Sequence, residues 1–355
     1  MKIIQILPEL ELGGVERHVI DLSNELVKLG HEVLVVSAGG QMEQQLDSRV
    51  QRCHLPVHLK NPFTWLYCAL RLAHVVRSQG WQILHAHSRV PAWIANWTHC
   101  FCRVPYVVTA HGEFGNKSPW IYAPYRKACR VICVSNAVQE SMKSCFAENT
   151  EVILNGLSKP SELWDPREKD SRKLLFVGRL SSFKGLQDVL RVLPHDMDWT
   201  LDVVGDGPQK EEWASLCREL GISDRVVFRG YSDRVDSFMA HSSCLVFPSY
   251  IEGMPLTVAR AVQIGLPVLA SDIPPIAEMA MPDSRLIPPG DSAQWEKAIR
   301  RFLEQGVTEC HFDSSAVPSL EKMVSRTLAL YTAVISSTSD LNRNQKMQCP
   351  EHDVL

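Results

Sequence analysis

Residues 173–185 of the chain are Lys173-Leu174-Leu175-Phe176-Val177-Gly178-Arg179-Leu180-Ser181-Ser182-Phe183-Lys184-Gly185. The apolar run that ends at Val177 predicts a buried strand, and helical spacing of apolar residues resumes after Gly185. The turn between them carries two cations, Arg179 and Lys184, five positions apart. A planar guanidinium and a compact ammonium group suit the oxygens of a diphosphate, and we prefer this interpretation to a solvated loop with incidental charge.

The same strand–turn–helix unit repeats along the chain on both sides of this segment. Strands are predicted near residues 2–7, 32–37, 83–86, 106–109, 131–134 and 152–154, and again near 173–177, 200–204, 226–228, 244–247 and 268–270. Helices are predicted near residues 15–29, 63–79, 91–102, 137–145, 185–193, 209–220, 233–241, 255–264, 293–305 and 320–336. Apolar strands that alternate with helices indicate parallel sheets covered on both sides. The predicted fold class is α/β, with two Rossmann-like, doubly wound parallel-sheet domains facing a cleft.

A charged stretch, residues 158–172, separates the two series of units and is predicted to be a linker. We expect an N-terminal, acceptor-side domain over residues 1–160 and a C-terminal, nucleotide-binding domain over residues 173–318. A helix over residues 319–337 follows the second sheet, and the polar tail, residues 338–355, is predicted to be disordered.

The composition excludes several classes of protein. The chain of 355 residues is 45% hydrophobic with a formal net charge of −3, which is typical of a globular protein and argues against a general nucleic-acid binder. No uncharged apolar run reaches the roughly 20 residues of a membrane-spanning helix, and residues 1–7 lack a signal-peptide pattern. We therefore expect a cytoplasmic protein. The first turn lacks Gly-x-Gly-x-x-Gly, which argues against a nicotinamide dehydrogenase.

Three further turns at predicted strand ends carry candidate residues. Gly13 and Gly14 leave the amides of the first helix open to an anion, although a simple tight turn has the same pattern. Glu252 precedes a helix whose first-turn amides could bind a phosphate or a sugar oxygen while its carboxylate accepts sugar hydroxyl protons; a helix cap is the alternative. The turn at residues 205–208 is predicted to be structural, with Asp206 as a helix cap.

Histidines are concentrated in the first half of the chain. His111 follows a predicted strand, from which a side chain can hydrogen-bond a sugar or a leaving group. His85 and His87 lie on one strand, and we expect them to face opposite sides and to make a poor metal pair. The cysteines form no Cys-x-x-Cys pair, and no metal ligands are assigned.

The ordered set of motifs resembles that of family 4 glycosyltransferases. The motifs are Gly13-Gly14-Val15-Glu16-Arg17, Ala110-His111-Gly112, Asn155-Gly156, Val177-Gly178-Arg179 with Lys184-Gly185, Val204-Gly205-Asp206-Gly207-Pro208 and Pro248-Ser249-Tyr250-Ile251-Glu252-Gly253. The resemblance implies a GT-B fold, retention of the anomeric configuration, no need for a metal or another cofactor, and a C-terminal helix that crosses back onto the first domain. The segments at residues 60–62 and 85–93 are similar to bacterial lipopolysaccharide-core enzymes.

The resemblance also implies roles for individual residues. The donor would be a nucleotide-diphospho sugar, with its diphosphate held by Arg179 and Lys184 and its sugar bound by Glu252. His111 would lie beside the donor sugar, near the reacting centre. The other donor-site residues are expected to be Gly13, Gly14, Gly178, Gly205, Gly253, Met254, Pro255 and Arg260.

Arg260 departs from the family pattern, which usually has a second glutamate eight residues after the first to bind ribose hydroxyls. A guanidinium donates hydrogen bonds and cannot accept them. Either the nucleoside is held differently, or donor affinity is reduced, or the chain is a non-catalytic scaffold. A nucleotide-sugar epimerase on the same fold is the alternative enzyme class.

The charge of the first half is strongly uneven. Residues 48–139 contain eleven Lys or Arg residues, one acid and five of the nine tryptophans. Cations beside Trp120, Tyr122 and Tyr125 suit an anionic membrane or a phosphorylated lipid; the alternative is a patch that only keeps the chain soluble. Acceptor and membrane contacts are predicted for Lys60, Arg89, Lys117, Trp120, Arg126 and Lys127. The expected function is transfer of a sugar to a bacterial surface glycan, lipopolysaccharide core or a lipid-linked oligosaccharide, at the inner membrane.

Overall fold

A computed structural model describes residues 1–112, 119–146, 149–165, 172–279, 286–305 and 317–348. The chain divides into two compact units. The first contains residues 1–134, 138–156 and the C-terminal segment from Leu320. The second contains residues 135–137 and 157–319. Each unit has its own parallel sheet.

The first unit has a seven-stranded sheet of order β3-β2-β1-β4-β5-β6-β7, and the second a six-stranded sheet of order β10-β9-β8-β11-β12-β13. The strands of the first are β1 (Lys2–Ile6), β2 (Glu32–Ser37), β3 (Gln51–His54), β4 (Ile83–His87), β5 (Tyr106–Ala110), β6 (Arg130–Cys133) and β7 (Thr150–Val152). Those of the second are β8 (Lys173–Val177), β9 (Thr200–Val204), β10 (Val226–Gly230), β11 (Cys244–Phe247), β12 (Val268–Ser271) and β13 (Leu286–Ile287). The predicted α/β class and parallel sheets are confirmed.

The helices cover the sheets in chain order. They are α1 (Gly14–Lys28), α2 (Pro62–Gln79), α3 (Arg89–Cys102), α4 (Ala123–Lys127), α5 (Asn136–Phe146), α6 (Leu186–Val192), α7 (Lys210–Glu219), α8 (Val235–Ala240), α9 (Leu256–Ile264), α10 (Pro274–Ala277), α11 (Ser292–Gln305) and α12 (Leu320–Gln348). In the first unit, α1 and α12 share a core with one face of the sheet, in which Leu22, Ile83, Val107 and Tyr331 are fully buried. Among the described residues, no helix is both long and apolar enough to cross a membrane.

Strand order reverses at one place in each sheet, between β1 and β4 in the first and between β8 and β11 in the second. The connections on either side of such a point run in opposite directions, so the loops that follow the two strands separate and leave a crevice at their carboxyl ends. The turns with Gly13 and with His111 follow β1 and β5, whereas those with Arg179 and Glu252 follow β8 and β11.

One prediction about the chain's organisation is wrong. The tail was expected to be disordered from residue 338, but α12 continues to Gln348. The described part of the predicted linker packs on the second unit, where the Trp164 indole N–H donates to the Ser242 carbonyl at 2.8 Å. The sequence analysis also missed β3, because its exposed residues give an edge strand no apolar signal.

Candidate active site

The turns after β8 and β11 bring a cation and a carboxylate together in the second unit. Lys184 Nζ lies 2.6 Å from Glu252 Oε1, and it also lies 5.3 Å from the centroid of the Phe247 ring. The Lys184 and Glu252 side chains are only 16% and 11% exposed. Partial burial lowers the effective dielectric around the pair, so its charges interact more strongly than a surface pair would.

Arg179 lies at the start of the same turn as Lys184. Its side chain is exposed, and within the described residues its guanidinium forms no ion pair. None of its five N–H donors bonds to another described side chain or carbonyl, so they can bind an incoming anion. In the part of the chain that the structure describes, Lys184 is therefore already paired with a carboxylate and Arg179 is not.

Close backbone contacts fix the geometry of these turns. The Tyr250 N–H donates to the Phe183 carbonyl at 2.9 Å, which joins the Lys184 turn to the Glu252 turn. Gly185 has a φ of +70°, and a Cβ at this position would lie 2.0 Å from the Pro248 carbonyl oxygen. Glycine is therefore required at residue 185 both by backbone conformation and by space.

Gly205 likewise allows a close approach of two turns, those after β8 and β9. Its φ is +136°, and a Cβ would lie 1.9 Å from the Gly178 carbonyl oxygen. The Leu180 N–H also donates to the Asp206 carbonyl at 2.9 Å. The turn that carries Arg179 is thus packed directly against the glycine turn after β9.

Asp206 is not a helix cap as expected. The N-cap residue of α7 is Gln209, and no side chain caps this helix. The Asp206 carboxylate instead accepts the N–H of Gly207 at 2.7 Å and pairs with Lys210 at 3.5 Å. The carboxylate therefore stabilises the turn from within rather than the helix end.

Arg260, which was expected to contact the donor, is engaged within the second unit. Its Nε lies 3.3 Å from an oxygen of Asp236, and its Nη1 donates to the Ser158 carbonyl at 2.7 Å and to Gln263 at 2.8 Å. The side chain is only 14% exposed. Arg260 thus ties the segment at residue 158 to α8 and α9, and its contact with the donor stays a prediction.

Gly253, Met254 and Pro255 are buried and lead directly into α9. Two residues of this loop were missed by the sequence analysis. The Tyr250 hydroxyl donates to Asp188 of α6 at 2.6 Å, and this hydrogen bond raises the pKa of Tyr250 to about 12. The Ser249 hydroxyl is fully buried and has no hydrogen-bond partner among the described residues.

The first unit contains a buried polar network on the sheet face under α1 and α12. Gln5 pairs in register with His85 across β1 and β4, and His87 pairs with Thr109 across β4 and β5. His85 contacts the hydroxyls of Tyr331 and Thr109 at 2.5 and 2.6 Å.

His85 and His87 therefore share a face, and the expectation that they point to opposite sides is wrong. Residues two apart in a strand point the same way, and the two ring centroids lie 4.1 Å apart. His87 Nδ1 lies 3.0 Å from His111 Nε2, and His18 of α1 packs against both rings. The sequence analysis missed His18 altogether.

Burial determines the charge of these histidines. It lowers the pKa of His18 to about 4 and holds the pKa values of His85, His87 and His111 well below their usual range, with mutual repulsion as the lesser cause. All four imidazoles are neutral at pH 7, and each keeps one N–H and one lone pair.

The turn before α1 is covered by a side chain of the helix itself. The Glu16 carboxylate lies against Gly13, where an added Cβ would be 2.2 Å from Glu16 Oε2.

Part of the predicted acceptor and membrane patch is exposed and part is not. Lys60, Arg89, Arg126 and Lys127 are exposed. Trp120 is 60% exposed, and its ring packs at a tilt against that of Trp93, with centroids 5.0 Å apart. Tyr122 and Tyr125 are buried and cannot face a membrane as expected. Lys117 lies outside the described residues.

The sequence analysis missed a second apolar surface in the first unit, which we call the α2 patch. Its members are exposed apolar side chains of the loop before α2, α2 and α3: Leu59, Phe63, Leu66, Tyr67, Leu70 and Phe101. The i, i+3, i+4, i+7 spacing from Phe63 to Leu70 was the available signal. Because the opposite face of α2 is buried, this helix is apolar on two sides.

Comparisons with known proteins match nearly the whole chain. Residues 12–158 match the Glycosyltransferase Family 4 model, and residues 159–316 match the Glycosyl transferases group 1 model. An uncharacterised glycosyltransferase of Methanocaldococcus jannaschii is 26% identical over 313 residues, 77% of this chain and 80% of the relative. The lipopolysaccharide 1,6-galactosyltransferase of Escherichia coli K12 is 29% identical over 202 residues, 53% of this chain and 55% of the relative.

Solved structures agree with this match at the level of the fold. A glycosyltransferase from Rickettsia africae superposes with a TM-score of 0.79 at 22% identity, covering 94% of this chain and 98% of that one. Anabaena Alr3699/HepE in complex with UDP-glucose gives a TM-score of 0.73 at 18% identity, with 97% and 100% covered. The chain is therefore a glycosyltransferase of GT-B fold, with a family 4 domain in residues 12–158 and a group 1 domain in residues 159–316.

Proposed function

We propose that the chain is a retaining glycosyltransferase that uses a nucleotide-diphospho sugar and extends a bacterial cell-surface glycan. One observation carries the donor half of this proposal. Arg179, Lys184 and Glu252 follow the two adjacent strands, β8 and β11, at which the order of the second sheet reverses. Ligands of doubly wound sheets bind at this position.

The charges in these turns suit the proposed chemistry. As the glycosidic bond breaks, negative charge develops on the departing diphosphate, and fixed cations stabilise it without a metal. Arg179 offers a guanidinium with no ion partner among the described residues, and Lys184 is held in place by Glu252 at 2.6 Å. The second Glu252 oxygen can accept a sugar hydroxyl proton. His111, in the first unit, is proposed to lie beside the donor sugar.

A donor screen tests this proposal. The purified chain is mixed with uridine-, guanosine- and adenosine-diphospho sugars, and unfolding midpoints are measured with and without each. We expect one class to raise the midpoint, since a ligand that binds only the native state stabilises it by mass action. With that donor and a lipopolysaccharide-core acceptor, proton NMR of the product should show the donor's anomeric configuration.

Two results would contradict the donor proposal in different ways. If no nucleotide sugar stabilises the chain, the result favours a non-catalytic scaffold. If the donor sugar is converted when no acceptor is present, the result favours the epimerase. An inverted anomer in the product would overturn the retaining mechanism alone.

The acceptor half of the proposal rests on charge and on two relatives. Lipopolysaccharide 1,6-galactosyltransferases of Escherichia coli and Salmonella typhimurium are 29% and 30% identical over roughly half of this chain. We propose that the basic first unit binds the anionic inner-membrane surface, where a lipopolysaccharide-core or lipid-linked acceptor is presented. The α2 patch adjoins exposed Lys60, and this combination of apolar and cationic side chains suits a lipid interface.

Liposome flotation checks the membrane proposal. We expect binding to increase with anionic lipid and to decrease with salt. Because Phe63 is 85% exposed, Phe63→Glu should leave the fold intact. It should weaken vesicle binding about tenfold, because the free energy gained by burying one large apolar side chain in the membrane is lost.

Leu29→Glu is the matched control. Leu29 is 58% exposed in the same unit but lies at the end of α1. Its substitution adds the same charge and should leave flotation unchanged. Equal loss of binding in both variants would assign the effect to net charge and remove the α2 patch from the proposal.

A further inference from the structure

Three imidazoles from separate elements converge in the first unit. His18 lies on α1, His87 ends β4, and His111 follows β5. One ring nitrogen from each lies within 4.8 Å of the other two, and His87 Nδ1 is 3.0 Å from His111 Nε2. In a tetrahedral zinc site with bonds of about 2.0–2.1 Å, neighbouring ligand atoms lie roughly 3.3 Å apart. The nitrogens, which lie within 4.8 Å of one another, would have to approach by at most roughly 1.5 Å to reach this separation.

The hydrogen bonds of His87 leave the lone pair of its Nδ1 available to a metal ion. His87 Nε2 lies 2.8 Å from Gln5 Oε1, and the Gln5 amide nitrogen donates to the Tyr331 hydroxyl at 3.2 Å. This pattern assigns the proton of His87 to Nε2 and leaves the lone pair on Nδ1, which faces the cluster. Histidine ligands of metals typically donate their other N–H to an oxygen in this way.

His18 provides the second observation. The residue is only 7% exposed, and the Asn155 side chain interacts with its ring as a hydrogen-bond partner, but among the described residues neither ring nitrogen has a partner at full hydrogen-bond geometry. A buried imidazole whose nitrogens are not fully hydrogen-bonded carries an unfavourable desolvation cost, and a bound cation would offset it.

We propose that His18, His87 and His111 form a binding site for a transition-metal dication such as Zn²⁺. Three neutral imidazoles select borderline ions of the zinc, cobalt and nickel type, whereas Mg²⁺ prefers carboxylates and phosphates. Such a site is distinct from a metal on the donor diphosphate. His111 is the least buried of the three, so a fourth ligand from solvent would approach on its side.

The competing interpretation is a network without metal. In that case His111 Nε2–H donates to His87 Nδ1, and their 3.0 Å separation is an ordinary hydrogen bond. This interpretation leaves His18 unexplained, because the hydrogen bond between His87 and His111 does not satisfy either of its nitrogens. The two interpretations differ in whether the intact chain binds a cation.

Cobalt titration of the full chain distinguishes them, since Co²⁺ replaces Zn²⁺ and absorbs visible light. We expect one Co²⁺ per chain, with the intense bands of a tetrahedral site and no thiolate charge-transfer band in the near ultraviolet. Zn²⁺ should displace the cobalt, and Mg²⁺ should not. No nucleotide sugar is present, so the result is independent of the proposed transfer reaction.

His18→Gln is the decisive variant, because a glutamine amide can still hydrogen-bond to Asn155 but lacks the imidazole nitrogen that would bind the ion. It should weaken Co²⁺ binding by more than the roughly 10–100-fold that loss of an outer hydrogen-bond partner costs a metal site. His74→Gln, an exposed histidine of α2, is the matched control and should bind as the parent does. Circular dichroism checks folding, and His111→Gln replaces His18→Gln if the latter fails to fold.

The proposal is overturned by any of three results: no Co²⁺ binding, a thiolate band that assigns the ion to cysteine, or unchanged affinity in the histidine variant. If the proposed function also holds, a bound ion would withdraw His111 from the donor sugar. Zinc would then inhibit transfer, but binding is measured without that assumption.

Discussion

Lys184→Met should reduce kcat/KM for sugar transfer by about 10²–10³-fold, the usual cost of removing one preorganised donor to developing negative charge. Lys184 Nζ is held 2.6 Å from Glu252 in a setting where both side chains are largely buried. Its position is therefore fixed before a donor arrives, and its charge needs little reorganisation during the reaction. Steady-state kinetics with the donor found in the screen measures the effect.

The substitution also leaves the Glu252 carboxylate without its partner, which complicates the interpretation. An unpaired, mostly buried carboxylate costs about 3–5 kcal/mol of stability. The double variant Lys184→Met/Glu252→Gln removes that charge as well. We expect the double variant to unfold at a higher temperature than the single variant and to remain equally inactive, which would separate the loss of transfer from the loss of stability.

Lys173→Met is the matched control for this prediction. Lys173 begins β8 and pairs with the buried Asp202 at 3.1 Å, so it is also a lysine in a partly buried ion pair. It lies at the amino end of the strand, and Asp202 keeps Arg229 as a partner at 2.7 Å. Its loss should lower stability slightly and leave kcat/KM unchanged. Equal loss of activity in both lysine variants would contradict the assignment of the donor site to the Lys184 turn.

Much of the fold could be predicted because periodicity reports which faces are buried. Apolar strands and helices with a single apolar stripe, such as β8 and α1, give clear local patterns. The same logic predicted the turns with Arg179 and Glu252, since parallel strands end at one edge of a sheet. The prediction of α2 as a helix did not consider its second apolar face, and the α2 patch was therefore missed.

The missed parts of the sites depend on contacts between residues that are distant in sequence. His18 occupies a core position of the α1 stripe, between Val15 and Val19, and nothing local distinguishes it from a packed residue. Its importance follows only from its contact with His87 and His111. Arg260 was likewise judged against a family pattern, although its partner Asp236 on α8 explains an arginine there without any ligand.

Gly185→Ala should be the most damaging of the small substitutions in the second unit. The φ of +70° is unfavourable for alanine, and the alanine Cβ would lie 2.0 Å from the Pro248 carbonyl oxygen. The backbone would have to move to relieve this contact. We expect a loss of about 3 kcal/mol or more in the free energy of unfolding. Because Gly185 joins the Lys184 turn to the Glu252 turn, displacement by roughly 1 Å should also reduce transfer about 100-fold.

Gly221→Ala separates the two causes of that damage. Gly221 has nearly the same backbone conformation, with a φ of +68°, but no atom lies within 4 Å of its added Cβ. It should cost only the conformational part, about 1–2 kcal/mol, and leave transfer unchanged. Denaturant titration of both variants gives the difference between them, which measures the steric contact of residue 185 with Pro248. If the two alanine variants were equally stable and equally active, close packing of these turns would not be what positions Lys184 and Glu252.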